Sequence, residues 1–264
     1  MVSQLLTGSL SDPSLGFLAD LVSSALDCDR MDYLRRDALH TGASYGSFDR
    51  DWLIREMEPD DDGSSIVVIE KGRTAVEQYL IGRYHMFQNV YLHKTSRGFE
   101  GAFRHLCQRV LDLGAGALPP ASRAFRLLFE DQIGVDEFLS LTDQSFLVEL
   151  EWLLGHDDPT VRGLAEALHH RRPLRRINVT GEDPAPVQTE RERIAIQAGL
   201  DPSTAVWLDT AADVPYRPYA PDLARKGLRI RRSDRSLVDV TELSPSIKAL
   251  SQRVAVERVY WLET

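Results

Sequence analysis

The chain has 264 residues, enough for one good-sized core or one core with a small appended domain, and 43% are hydrophobic, which excludes a disordered or fibrous protein. Its 40 acidic residues outnumber 31 Lys and Arg, for a formal net charge of -9; this excludes a general nucleic-acid or anionic-membrane binder, which needs clustered cations to displace counterions. Cys28 and Cys107 form no Cys-x-x-Cys pair, no run approaches the ~20 apolar residues that span a bilayer, and no basic-then-apolar leader opens the chain, so a cytoplasmic location is expected.

The first apolar stripe starts near Ser14 and runs through Leu15, Leu18, Leu21, Val22, Ala25, Leu26, Met31, Leu34 and Ala38, with Gly42 as its stop. Asp49 is placed to cap a short helix over DWLIREM, and SIVVIE reads as a strand. A long helix is expected from Thr74 to His93, with Val76, Tyr79, Leu80, Tyr84, Phe87, Val90 and Tyr91 at helical spacing. Further helices are expected at Phe99 to Leu113, Ala121 to Phe129, Val135 to Leu154 and Thr160 to His170.

Beyond about residue 172 the texture changes. RRINVTG, TAVWLDT, GLRIRRS, SLVDVTE and RVAVERVYWLE have strand character, with helices at Thr189 to Ala198 and Ser246 to Ser251 and a hairpin turn at Ser233 to Ser236. The proline-rich stretch 213–222 reads as an extended loop. The expected architecture is thus mostly α, a helical region over 1–172 followed by a smaller α+β region over 173–264.

Within LDCDRMDYLRRDALHTG, residues 26 to 42, Asp29, Tyr33 and Asp37 lie four apart and share one helix face, with Arg30 about 100° round from Asp29. A carboxylate is a hard ligand for a divalent cation, arginine is a fixed cation suited to phosphate, and a tyrosine beside a carboxylate can grip a sugar hydroxyl. The same residues also describe a solvated, salt-bridged helix face, and spacing alone leaves both readings open.

The wording of this segment closely resembles the part of the HD-superfamily dNTP triphosphohydrolases that supplies the last metal ligand and part of the substrate pocket. The resemblance implies Asp29 as the metal ligand, Arg30 as a phosphate contact, and Tyr33 and Asp37 as contacts to deoxyribose. LIGRYHMFQNVYLHKTSRG resembles the family's next helix and adds Arg83 for phosphate and Tyr91 for the sugar, with Lys94 just beyond. Phe87 and Leu92 depart from a mammalian member, which has histidine and glutamine there. For Tyr91 and Phe87, ordinary core packing stands beside the substrate reading. Weaker likeness continues through SLTDQSFLVELEWLL and LHHRRPLRRINV.

The family holds a divalent metal (Mn, Mg, Fe or Zn) with a His, a His-Asp pair and a final Asp, the first three upstream of the segment that opens this chain. The only His-Asp dipeptide, His156-Asp157, follows the Asp29 segment and reads as a turn before a helix capped by Asp158. Asp29 alone supplies too few ligands for a stable site. His85 and His93 read as structural or surface residues; His93 beside Lys94 can also meet phosphate. HHRRPLRR, 169–176, reads as a solvated helix end, with phosphate or RNA contact as the alternative. Lys71 stands where relatives touch a regulatory nucleotide.

The resemblance implies a homo-oligomer that hydrolyses a deoxynucleoside triphosphate to deoxynucleoside and triphosphate, with no membrane or nucleic-acid partner. For this chain the expectation is an N-terminally truncated member, inactive alone. The alternative is a non-catalytic nucleotide-binding or assembly subunit.

Overall fold

The computed structural model describes all residues except 1, 8, 9, 11, 131, 214, 215, 217–226, 252, 253 and 264. In chain order the described elements begin with α1 (Val2–Thr7), a 3-10 turn at Pro13–Leu15, α2 (Gly16–Val22), α3 (Cys28–Thr41) and α4 (Arg50–Arg55). They continue with β1 (Met57–Pro59), β2 (Ile66–Ile69), α5 (Arg73–Met86), a π-helical turn (Phe87–Tyr91), α6 (Lys94–Leu113), α7 (Val135–Leu139), α8 (Asp143–Leu153) and α9 (Pro159–His169). Then follow β3 (Arg175–Asn178), α10 (Ala185–Gln197), α11 (Pro202–Ala205), β4 (Val206–Asp213), β5 (Arg229–Arg231), β6 (Leu237–Asp239), α12 (Val240–Leu243), α13 (Pro245–Leu250) and β7 (Val254–Trp261). The fold is mostly α with smaller α+β elements, as expected from the periodicity.

The chain divides into two compact units, one of residues 1–91 with 212–254, the other of 92–211 with 255–264. The change of texture near residue 172 does not coincide with this division, because each unit draws strands from the C-terminal part. In the first unit β1, β2, β5 and β6 form one sheet in that order. β1 runs antiparallel to β2 (Met57 opposite Val68), β2 parallel to β5 (Val68 opposite Ile230), and β5 antiparallel to β6 (Ile230 opposite Val238). The hairpin between β5 and β6 turns at Arg235, whose φ is 68°, as the turn signal at Ser233 to Ser236 predicts. Of the proline-rich stretch 213–222, all but residues 213 and 216 lies outside the described residues.

The first unit's core joins Met31, Leu34 and Ala38 of α3 to Val76, Tyr79, Leu80 and Met86 of the α5 helix, with Val68 and Ile230 from the sheet. The second unit's core packs Ala102, Leu106 and Val110 of α6 on Leu150 and Leu153 of α8 and Val161 and Leu164 of α9. Its sheet has the order β3, β7, β4, with Ile177 opposite Val259.

Four expected helices are cut or shortened, each by a nameable group. The stripe of residues 15 to 38 is two helices, because Asp27 caps α3 and also accepts the backbone N–H of Ser24, turning the chain between them. The helix expected over Thr74 to His93 gives way to the π turn at Phe87. Only a 3-10 turn at Arg126–Phe129 forms where a helix is expected over Ala121 to Phe129. There the buried carboxylate of Glu149 takes the N–H groups of Arg123, Ala124 and Phe125 and the hydroxyl of Ser122. Thr142 and Ser145 form a capping box that divides the stretch Val135 to Leu154 into α7 and α8.

Candidate functional site

Asp27 starts the site. Its carboxylate accepts the N–H of Arg30 at 2.7 Å, so α3 begins at Cys28 and carries Asp29 in its first turn. Met31, Leu34 and Ala38 bury one face of α3, Tyr33 and Asp37 lie at its half-buried edge, and Asp29 is exposed. Arg30 lies 3.5 Å from Asp27 and donates to the Ser24 carbonyl, so its guanidinium is held at the helix start.

The facing element is α5 with its π turn. Tyr79, fully buried, donates from its hydroxyl to the Ala25 carbonyl at 2.9 Å and fastens α5 to the turn before α3. Gly82 lets the helix approach the backbone of Tyr45, since a Cβ there would stand 2.6 Å from the Tyr45 carbonyl oxygen. Beyond this anchor the Arg83 guanidinium lies 5.1 Å from the centre of the Phe87 ring, a cation–π distance. Phe87 meets Tyr91 edge-on at 5.0 Å, and Tyr91 meets Tyr33 edge-on at 6.1 Å.

Tyr91 closes the arrangement by donating its hydroxyl to Asp37 Oδ2 at 2.8 Å. Burial, and then the Asp37 carboxylate, push the phenol above its ordinary range by disfavouring the phenolate. Tyr91 is therefore a neutral hydroxyl across the physiological range, with lone pairs left to accept from another hydroxyl. Arg83, Phe87, Tyr91, Tyr33 and Asp37 thus form one continuous chain of contacts within the first unit. Asp29 and Arg30 sit on the same helix as Tyr33 and Asp37, while Lys94 belongs to the second unit, exposed at the start of α6.

Asp29 has no polar side-chain partner among the described residues, and no three His, Cys, Asp or Glu side chains there gather as a metal-binding group. Its neighbour Asp27 is engaged as a cap. These residues do not fit a divalent-metal site by themselves, since a hard cation takes several oxygen ligands or a third protein donor.

His93, His85 and His156 have local roles. His93 caps α6, its Nδ1 accepting from Thr95 N–H at 3.3 Å, and His85 lies against the Tyr45 and Tyr84 rings. His156 bonds the Ala117 carbonyl and accepts from Asp158 N–H, while Asp158 caps α9 and pairs with Arg109, which places His156-Asp157 in a turn. In HHRRPLRR, Arg172 faces Glu166 and Arg175 faces Glu263 on the surface.

Pattern reading passes over two residues that build the site: Asp27, which caps α3, and Tyr79, which fastens α5 to the turn before it. Asp27 carries a usable signal, an Asp placed to cap at the start of an apolar period. A separate groove of about 630 Å³ in the first unit is bordered by Lys71, Arg231, Arg232, Arg235, Glu58 and Glu70.

Residues 48–121 match the family described as "HD associated region". A solved phosphohydrolase from Bacteroides thetaiotaomicron superposes on 98% of this chain with a TM-score of 0.81 at 25% identity. The fold is that of an HD-type phosphohydrolase. A solved hypothetical protein from Aquifex aeolicus covers 99% of the chain with a TM-score of 0.69, also at 25% identity. Among curated proteins, "Uncharacterized protein YwfO" of Bacillus subtilis is 29% identical over 241 residues, 90% of this chain. "Uncharacterized protein MG461" of Mycoplasma genitalium is 46% identical over 77 residues, which cover 28% of this chain and 18% of that protein. The chain spans 53% of the B. subtilis protein and 66% of the B. thetaiotaomicron phosphohydrolase.

Proposed function

We propose that this HD-type chain supplies the substrate side of a phosphohydrolase acting on deoxynucleoside triphosphates. The observation that carries the reading is the hydroxyl of Tyr91 seated on Asp37, flanked by Tyr33 and Phe87 and reaching Arg83 through the Phe87 ring. A carboxylate and a neutral phenol offer the acceptor and donor that orient a sugar hydroxyl, and the edge of an aromatic cluster suits the apolar face of deoxyribose. Arg83 is the cation for the phosphates, and Arg30 joins it on exchanging the Ser24 carbonyl for an oxyanion.

The hydrolytic step in such an enzyme draws on a divalent cation that activates water and stabilises charge on the phosphoryl oxygens. Asp29 would be one oxygen donor toward such a cation, and this chain's described residues offer no set to go with it. The chain alone is therefore expected to release no triphosphate from any dNTP with manganese or magnesium, whereas a chain extended upstream in the same reading frame, bringing a His and a His-Asp pair, is expected to turn over. Colorimetric release assays on both proteins test this, and turnover by the chain alone defeats it.

The Lys71 groove supports a second role. Lys71, Arg231, Arg232 and Arg235 border one cavity with Glu58 and Glu70, and Arg231 and Arg235 also pair with Asp61 beside it; the excess of cations at the cavity favours a polyphosphate and agrees with the regulatory-nucleotide contact implied at Lys71. Lys71→Glu is expected to weaken the effect of an activating nucleotide on the extended enzyme at least tenfold while leaving its substrate KM unchanged, and an unchanged activation curve removes this role from the groove.

A further inference from the structure

Residues 127–161 contain nine Asp and Glu but neither Lys nor Arg. In the second unit this stretch builds α7 and α8, which are joined by three residues and tied together at Arg123. Its guanidinium donates to the Ser140 hydroxyl at the end of α7, and its backbone N–H donates to Glu149 of α8. Elsewhere on the surface acidic side chains find cations, as Asp32 does in Arg36, Glu190 in Arg193 and Glu263 in Arg175. The side chains of Asp136, Glu137, Asp143 and Glu151 are exposed and pair with no cation among the described residues.

The same two helices turn large apolar side chains outward. On α8, Leu150 and Leu153 enter the core, whereas Leu147, Val148 and Trp152, with Glu151 among them, fall on the opposite side by their spacing of four and are 40–48% exposed. On α7, Val135, Phe138 and Leu139 stand at i, i+3 and i+4 on one side of the turn, with 73%, 62% and 71% of their surfaces open. An apolar side chain exposed singly is ordinary, but six on two joined helices mark an interaction surface.

The charges decide what that surface takes. Unpaired carboxylates repel nucleic acid and an anionic bilayer. A second copy docked through the same face would set these carboxylates against their own equivalents, since a two-fold interface pairs a patch with itself. A segment that carries apolar side chains along one side and Lys or Arg beside them satisfies both halves of the surface. We infer that the α7–α8 face is a docking surface for a cationic amphipathic segment of a partner protein. The apolar side chains of that segment seat on Phe138, Leu139 and Trp152, and its cations on Asp136, Glu137 and Glu151. This role is independent of the sugar and phosphate contacts proposed above, which lie in the first unit.

The test is fluorescence anisotropy on the full chain with a labelled amphipathic peptide of leucine and lysine, and a peptide of the same pattern with glutamate in place of lysine as control. The lysine peptide is expected to bind saturably and more weakly as salt is raised, and the glutamate peptide is expected not to bind. Phe138→Ser with Leu139→Ser is expected to weaken binding at least tenfold. Asp136→Lys with Glu137→Lys is expected to do the same at low salt, with the difference closing at high salt. All four substitutions fall at exposed positions, so both variants are expected to keep the parent's denaturation midpoint, and either alone decides the matter.

Absence of saturable binding, equal binding by the parent and both variants, or equal binding of the two peptides overturns the inference. Sedimentation equilibrium and flotation with phosphatidylcholine vesicles test the other occupants. Self-association of the parent that is lost in the Phe138→Ser, Leu139→Ser variant assigns the face to a second copy, and vesicle binding lost in that variant assigns it to lipid; either result overturns the partner proposed here.

Discussion

At the scale of single residues, the Tyr91 hydroxyl on Asp37 holds the two sides of the site together. Removing the hydroxyl leaves Asp37 a carboxylate with one fewer donor, and a charged hydrogen bond of this kind contributes about 1.5–3 kcal/mol. Tyr91→Phe is expected to weaken dATP binding by about tenfold with inorganic triphosphate unaffected, and adding Asp37→Asn to it is expected to cost little more, because both act through one bond. Isothermal titration of the two single variants and the double variant measures this; fully additive losses would show that the pair does not act as a unit. Much of this site is legible in sequence. The four-residue spacing of Asp29, Tyr33 and Asp37 puts them on one helix, and Arg83, Phe87 and Tyr91 come together. The engagement of Arg30 by Asp27 and the Ser24 carbonyl is not legible, since it depends on where α3 starts. Lys94 shows the limit from the other side: it follows Tyr91 by three residues, yet the division between the two units falls between them.

At the scale of elements, the site depends on how close α5 lies to the segment after α3. Gly82 faces the Tyr45 carbonyl with no room for a methyl group, so Gly82→Ala must push α5 away or distort the turn. Overpacking of this kind costs about 1–3 kcal/mol, and the expected result is a lowered denaturation midpoint together with weaker triphosphate binding, because Arg83 is the next residue on the helix. Chemical denaturation and the same titration check both halves, and a fully stable Gly82→Ala protein would mean that the close approach is not required. Helix type is read well from apolar period here, and the caps Asp49 and Asp158 and the stop at Gly42 stand where the sequence signals put them. Helix breaks are read poorly, for a physical reason. Glu149 unwinds 122–125 from two dozen residues away, a tertiary competitor for backbone N–H groups that no local propensity encodes.

At the scale of the whole molecule, Asp60 ties the turn between β1 and β2 to β5 far along the chain, through Arg229 at 2.8 Å. Burial acts to raise its pKa, but hydrogen bonds led by that from the Ser65 hydroxyl outweigh it and hold the carboxyl at about 2. A folded pKa below the unfolded value contributes stability that is present above about pH 4 and is lost as the pH falls toward 2, on the order of 2 kcal/mol. Acid unfolding followed by circular dichroism is expected to shift in Asp60→Asn, with the variant less stable at pH 7 and nearly level with the parent near pH 2. A constant difference across that window would mean that Asp60 is not the group being titrated.

The parallel pairing of β2 with β5 brings residues 67–69 beside 229–231, and β3 pairs with β7, Arg175 opposite Trp261. During synthesis, the first 91 residues therefore leave the ribosome with one edge of their sheet open, and the unit that interrupts them likewise waits for its last strand. Contacts of such long reach form slowly and leave apolar edges exposed meanwhile. Both units are thus completed by strands beyond residue 228, so a ribosome that stalls before residue 229 leaves each sheet short of a strand that it holds in the finished fold.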